Sequence, residues 1–301
     1  MTSLAYSDVL ARTESLYRRR KLVDRAMTGA MILAVLCAVV PLFAILFYLL
    51  KEGLPGLTWS LISENPTSPG RGGGGVHNAI IGSAIQVGMA LAIGVPVAIG
   101  AGIFLAEYGQ NRIGSIIRFV IEVMAGIPSI TVGLFIYGLM VATTTDFLGT
   151  TGHFSAVAGS VALAILLVPI VARITEEMLL LVPRSLREAS YALGAPRWRT
   201  VLRIVFPTAL PGIITGVMLG LSRIAGEAAP LLFTSLGNNF YSQDVTQPME
   251  SIPRRIYVYA TGPYDYWHEQ AWAMSLLLVG IILVISLSVR ALFGSRVTVR
   301  Q

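Results

Sequence analysis

Six long apolar runs, at about 26–50, 78–106, 113–142, 155–181, 208–235 and 271–293, constrain this chain more than any other feature. A bilayer core of about 30 Å needs roughly 20 apolar residues of helix, and every run meets that length. Only 13% of the 301 residues are charged, 54% are hydrophobic and the mean hydropathy is +0.72. A soluble domain carries about 25% charged residues, so a soluble fold is excluded. Backbone groups in lipid must satisfy one another, and an all-α integral membrane fold with six spans is the expectation.

The net charge of +6 would suit a nucleic-acid partner, but the basic residues lie between the apolar runs, and none is expected. Seventeen Lys and Arg fall at or beyond one end of the six spans and four at the other, with Arg223 alone away from the ends. The positive side faces the cytoplasm, so both termini and the connection between spans 4 and 5 are expected there. This gives a cytoplasmic tail at 1–25, a membrane domain at 26–293 and a second tail at 294–301. The first run is too long for a signal-peptide core and has no clear cleavage site, so it is read as an anchor.

Several chemistries drop out. Cys37 is the single cysteine, so neither an intrachain disulfide nor a cysteine metal cluster is expected. His77, His153 and His268 lie far apart and outside the runs, and no metal is expected. The run Gly72 to Gly75 lacks the Lys-Ser/Thr of a phosphate loop, and the only lysines are Lys21 and Lys51. The chain is therefore not expected to bind ATP itself.

Between spans 4 and 5, residues 184–207 are strongly basic and amphipathic. Residues 188–192 read as a short helix stopped by Gly194, and Pro196 suits the first position of a second helix. There Trp198, Val201, Leu202 and Val205 fall on one face, and Pro207 is expected to block continuation into span 5. The bland account is a basic helix lying on anionic lipid.

In span 5, Gly212, Gly216 and Gly220 precede Arg223 and Glu227. At 100° per residue Gly216, Gly220, Arg223 and Glu227 share a face about 60° wide, and the glycines turn it toward protein. Arg223 lies about 22 Å along the span, where an arginine costs on the order of 3 kcal/mol without a partner or a wet path. Either it merely neutralises Glu227, or it binds an anion with Glu227 orienting it, with Pro230 breaking the helix beyond. Elsewhere, Asn78 reads as the cap of span 2, and Arg118 and Glu122 as an intrahelical ion pair of span 3. Residues 237–270 read as a loop whose tyrosines and Trp267 form either an interfacial belt or a docking surface.

The segment 184–207 resembles the cytoplasmic loop of bacterial ABC importer permeases: Glu-Ala-Ala, three residues, Gly, nine residues, Ile-x-Leu-Pro. Glu188, Ala189, Gly194, Ile204 and Pro207 match at that spacing, while Ser190 and Phe206 depart from it. The resemblance implies a loop of coupling helices that docks on an ATPase subunit and carries its movement into the membrane. The segment Ser222-Arg-Ile-Ala-Gly-Glu-Ala-Ala-Pro-Leu-Leu-Phe-Thr is similar to that of PstA-type phosphate permeases, as are stretches at 73–83, 126–129 and 252–257. That resemblance covers about 70–293.

It implies a multi-pass permease of the bacterial inner membrane, not an enzyme, with Arg223 and Glu227 in the phosphate path. Implied partners are a PstC-like second permease, a dimer of ATP-binding subunits holding ATP and Mg, an external phosphate-binding protein and membrane lipid. No cofactor is expected on this chain. Sulfate or molybdate would satisfy an arginine equally well. A polytopic enzyme or receptor is the remote alternative, disfavoured because the spans carry no Asp/His or Ser/His constellation.

Overall fold

A computed structural model describes residues 2–142 and 153–294. The connection read at 143–154 thus lies almost wholly outside the described residues, as do all but the first residue of the tail 294–301. The chain divides into two compact units, residues 1–51 and 52–301. The first consists of helix α1 (Thr2–Gly56), which runs on into the start of the second. Where the sequence separates a polar tail from a span at residue 26, the helix is continuous. Leu33, Phe43 and Phe47 project from it, all exposed.

In the second unit, α6 (Ala156–Leu180) is the central helix: 61% of its most apolar window is buried, against 28% for α3 (His77–Tyr108). Small residues explain the packing. At Gly94 and Gly102 of α3 a side chain would strike Leu167 and Thr175 of α6. From the other side, Gly212, Gly216 and Gly220 of α9 (Phe206–Ala225) seat Met178, Ile174 and Leu167. Backbones approach closely only where no Cβ intervenes. α12 (Asp265–Gly294) lies at the periphery.

Five single helices are long and apolar enough to cross a membrane, and the third run supplies a sixth crossing only as a bent pair. α4 (Arg112–Gly126) and α5 (Ser129–Ile136, extended by a π turn at Tyr137–Val141) meet at 104°. Pro128 is the cause: it drives Ile127 out of the helical region to φ −74°, ψ 130°.

Four further expectations are corrected. Val76 occupies the cap position of α3, while Asn78 sits in the first turn and donates its amide to Asn238 O at 2.6 Å. Arg118 pairs with Glu176 of α6 at 2.8 Å and not with Glu122, which is exposed. Its remaining nitrogens donate to Leu105 O and Gly109 O, carbonyls at the end of α3 that have no partner within their own helix. The loop at 237–270 contains a helix, α11 (Ile252–Ala260), opened by Pro253 in its first turn.

The fourth correction concerns Pro207. Helix α8 (Arg197–Thr200) passes through a π turn at Val201–Val205 directly into α9. The wider turn takes Phe206 N–H back to Val201 O and carries Pro207 without ending the helix. The same turn splits the expected apolar face: Val201 and Val205 are buried, Trp198 and Leu202 exposed.

Candidate functional site

Two groups of residues stand at opposite ends of α9. At its start lies the bracket formed by α7 (Arg184–Ala192) and α8. Gly194 has φ +78°, a conformation in which a side chain is strained. Ala195 N–H bonds Ser190 O at 3.2 Å and Gly194 N–H bonds Tyr191 O at 2.9 Å, the paired bonds of a Schellman stop. The Ser190 and Thr200 hydroxyls, 2.8 Å apart and buried, tie the two helices together.

The bracket presents charged and large apolar side chains outward together: Arg184, Glu188, Arg197 and Arg199 are exposed, and so are four large apolar residues. Leu193 is 88% exposed, and Leu186, Tyr191 and Trp198 are exposed beside it. Glu188 and Ala189 share that exposed surface, Ile204 lies within the π turn and Pro207 in the first turn of α9. A cleft of about 670 Å³ is lined by Glu107, Tyr108, Arg187, Glu188, Tyr191 and Arg197.

Arg223 lies 16 residues beyond Pro207, about 24 Å of helix rise. α9 ends at Ala225, and α10 (Ala229–Thr234) begins after Gly226, Glu227 and Ala228. The break expected beyond the pair, at Pro230, instead opens at Gly226, between Arg223 and Glu227, so Glu227 lies outside the helical face read for it; Pro230 sits in the first turn of α10. Arg223 Nε and Glu227 Oε1 stand 3.9 Å apart, at the limit of an ion pair. The Arg223 side chain is 53% exposed and that of Glu227 19%. A guanidinium so placed keeps most of its N–H donors pointing away from its partner, available to an oxyanion.

Sequence reasoning missed two buried ionic groups. Glu107, at the end of α3, bonds Arg187 at 2.8 Å. Its signal was an acidic residue at the membrane edge that carries the bracket's arginines. Glu250 pairs with Arg254 at 2.8 Å and Arg255 at 2.9 Å, and both Glu250 and Arg255 are nearly inaccessible. Here the spacing of one acid to two arginines four and five residues on was the available clue. The aromatic residues nearby are largely packing: Trp267 stacks on Tyr259 at 4.7 Å and meets Tyr264 edge-on. The glycine run is likewise a turn, with Gly72, Gly73 and Gly74 at positive φ and Gln270 donating to Gly74 O at 3.0 Å.

Residues 98–297 match the family described as binding-protein-dependent transport system inner membrane component. The chain belongs to this family. Within it, the chain is 42% identical to the phosphate transport system permease protein PstA of Yersinia pestis, over 84% of this chain and 83% of that one. It is also 42% identical to the PstA of Pasteurella multocida, covering 92% and 96%. The PstA 1 of Mycobacterium tuberculosis strain H37Rv is 36% identical over 90% and 87%. Among solved structures, a bacterial alginate ABC transporter in complex with its pentasaccharide-bound periplasmic protein aligns with TM-score 0.65 at 14% identity, covering 89% and 93%. The inward-facing MetNI methionine transporter aligns at 0.55 and 18%, covering 73% and 93%. At such identities these two establish the fold alone. As a binding-protein-dependent inner membrane component with this set of apolar helices, the chain is a multi-pass inner-membrane permease.

Proposed function

We propose that this chain is a permease subunit of an ATP-driven importer of inorganic phosphate, forming one wall of the path and coupling it to a separate ATPase. The observation that carries the anion reading is Arg223: a permanently charged group deep in a span, at a helix break, more than half exposed and 3.9 Å from its only ionic partner among the described residues. An arginine left so open in a membrane needs a wet path or a further partner. Its planar fork offers paired donors to a phosphate, which replace the anion's lost hydration. The names of the relatives support phosphate as the anion.

Four exposed large apolar side chains on so short a bracket, Leu186, Tyr191, Leu193 and Trp198, support a docking role for α7 and α8. In this reading Glu188, Ala189, Gly194, Ile204 and Pro207 belong to the docking segment. ATP and Mg are held by the partner, and this chain carries no cofactor. Both termini and the bracket face the cytoplasm, as the excess of Lys and Arg on that side supports. The half-exposed Arg223 calls for a second, related permease across the path. An external binding protein delivers the anion, meeting the end of the chain that carries residues 237–270.

Uptake of radioactive phosphate by the reconstituted complex, in competition with sulfate and molybdate, tests the reading. Phosphate should compete fully and the other two weakly. Equal competition by all three would sink the phosphate assignment while leaving the permease role.

A further inference from the structure

The last turn of α3 is a meeting point of four other elements. From α4, Arg118 donates Nη2 to Leu105 O and Nη1 to Gly109 O, both at 3.0 Å, and Nε to Glu176 of α6 at 2.8 Å. From α7, Arg187 places Nη2 2.8 Å and Nε 3.2 Å from Glu107 Oε1. The same guanidinium reaches Val182 O at 2.6 Å and Leu179 O at 2.8 Å, at the end of α6. From α8, Arg197 donates to Glu107 O and lies 4.6 Å from the Tyr108 ring centroid. Three arginines thus converge on two carboxylates and the carbonyl ends of two helices that run in parallel, where partial negative charge accumulates.

The arrangement is asymmetric in one respect. α7 follows α6 along the chain, and α8 runs on into α9. α3 has no direct chain continuity with the bracket, and its grip on α7 is the Glu107 carboxylate, whose side chain is 5% exposed. α3 then runs to the opposite end of the unit. There Gln86 donates to Met249 O and Glu250 O, beside Ser235, whose hydroxyl donates to Met249 O at 2.6 Å.

We propose that Glu107 is a positioning residue for transport, transferring displacement of the α7–α8 bracket to α3 so that α3, α6 and the bracket move as one body. The inference rests on reading the bracket as the ATPase docking segment. A bracket that merely lies on lipid has no use for a buried carboxylate bonded to its second arginine, while a lever needs a rigid joint.

The test uses the whole importer in proteoliposomes: this chain, its partner permease, the ATPase subunit and the binding protein, with phosphate as probe. In Glu107→Gln the ATPase subunit should stay bound and ATP turnover should stay within about two-fold, while phosphate moved per ATP should fall about ten-fold or more. Unchanged phosphate per ATP would overturn the proposal. Failure of the docking reading looks different: there Gly194→Val would keep the ATPase subunit and its turnover, whatever Glu107→Gln does.

A second variant covers misassembly. In a Cys37→Ser background, Glu107→Cys with Arg187→Cys should lose coupling, regain it when joined by a short bifunctional thiol reagent, and lose it again on reduction. A joined complex that hydrolyses ATP without uptake, or a pair that fails to assemble even when joined, makes Glu107 a folding residue only.

Discussion

A Cβ placed on Gly133 would lie 2.6 Å from the Cα of Pro230. Gly133 is in the middle of α5 and Pro230 at the start of α10, so the two broken membrane segments touch backbone to backbone. The interruption at Gly226–Ala228, which carries Glu227, is therefore pinned by a helix that is itself displaced by a proline. Neither break stands alone.

Gly133→Ala should cost about 1–3 kcal/mol, because a methyl group has no room between two backbones. Gly100 meets no atom within 4 Å, and Gly100→Ala should change stability by less than about 0.5 kcal/mol. Thermal unfolding of the purified complex distinguishes the two. Equal shifts would mean that the α5–α10 contact relaxes freely.

Glu250→Gln should be among the most destabilising single changes. It leaves Arg254 and Arg255 without a counter-charge where Arg255 is 4% exposed, a loss on the order of 3–5 kcal/mol. The yield of folded, membrane-inserted protein is the measurement, and near-normal yield would show that water reaches the cluster.

Gly194→Val forces a branched side chain into a left-handed backbone, at roughly 1–2 kcal/mol. The strain is local to an exposed turn, so insertion should be unaffected. On the docking reading, the ATPase subunit should bind more loosely and anion-stimulated ATP hydrolysis should fall. Unchanged stoichiometry and turnover would remove the docking assignment.

At the opposite end, Tyr257 and Phe240 are exposed, whereas Arg254 is largely enclosed by its bond to Glu250. Photocrosslinkers at Tyr257 and Phe240 should capture the binding protein, preferentially in the ATP-bound state. Arg254 should not serve as such a site. Products linked only to permease helices would mark this surface as an interfacial belt.

Arg223→Gln should leave assembly near normal and abolish uptake, because glutamine has no charge to offset the anion's dehydration. The 3.9 Å separation from Glu227 makes a purely structural pair weak, so the double change with Glu227→Gln should assemble and still not transport. Arg223→Lys should recover little, since an ammonium lacks the planar fork. Uptake is normalised to inserted complex. Restored uptake in the double variant would reduce Arg223 to a packing charge.

Hydropathy made five of the spans legible as single helices, but not the 104° bend that makes the third a pair, since length and polarity carry no signal for a break. Gly194 and the Arg223–Glu227 pair were legible because each depends on residues only a few positions apart, although Glu227 lies past the end of α9 and not on its face. The partners of Arg118 and Glu107 were not. Both lie on other helices, 58 and 80 residues away, and an i, i+4 rule sees only its own helix. Pro207 misled for a related reason: proline forbids one ordinary hydrogen bond, but the chain answered by changing the turn and not by stopping.

That change of turn has a consequence of its own. A π turn is an α-helix carrying one surplus residue. Deleting a single residue within Val201–Val205 would close the wide turn into an ordinary α-turn, in which the Pro207 ring meets the carbonyl four residues before it and kinks the helix. The angle at which α8 enters α9 is thus written in the number of residues between Gly194 and Pro207 as well as in which residues they are. Substitutions along that stretch that spare Thr200, Val201 and Val205 are tolerable so long as the count holds; a deletion of one, however conservative in composition, bends the lever.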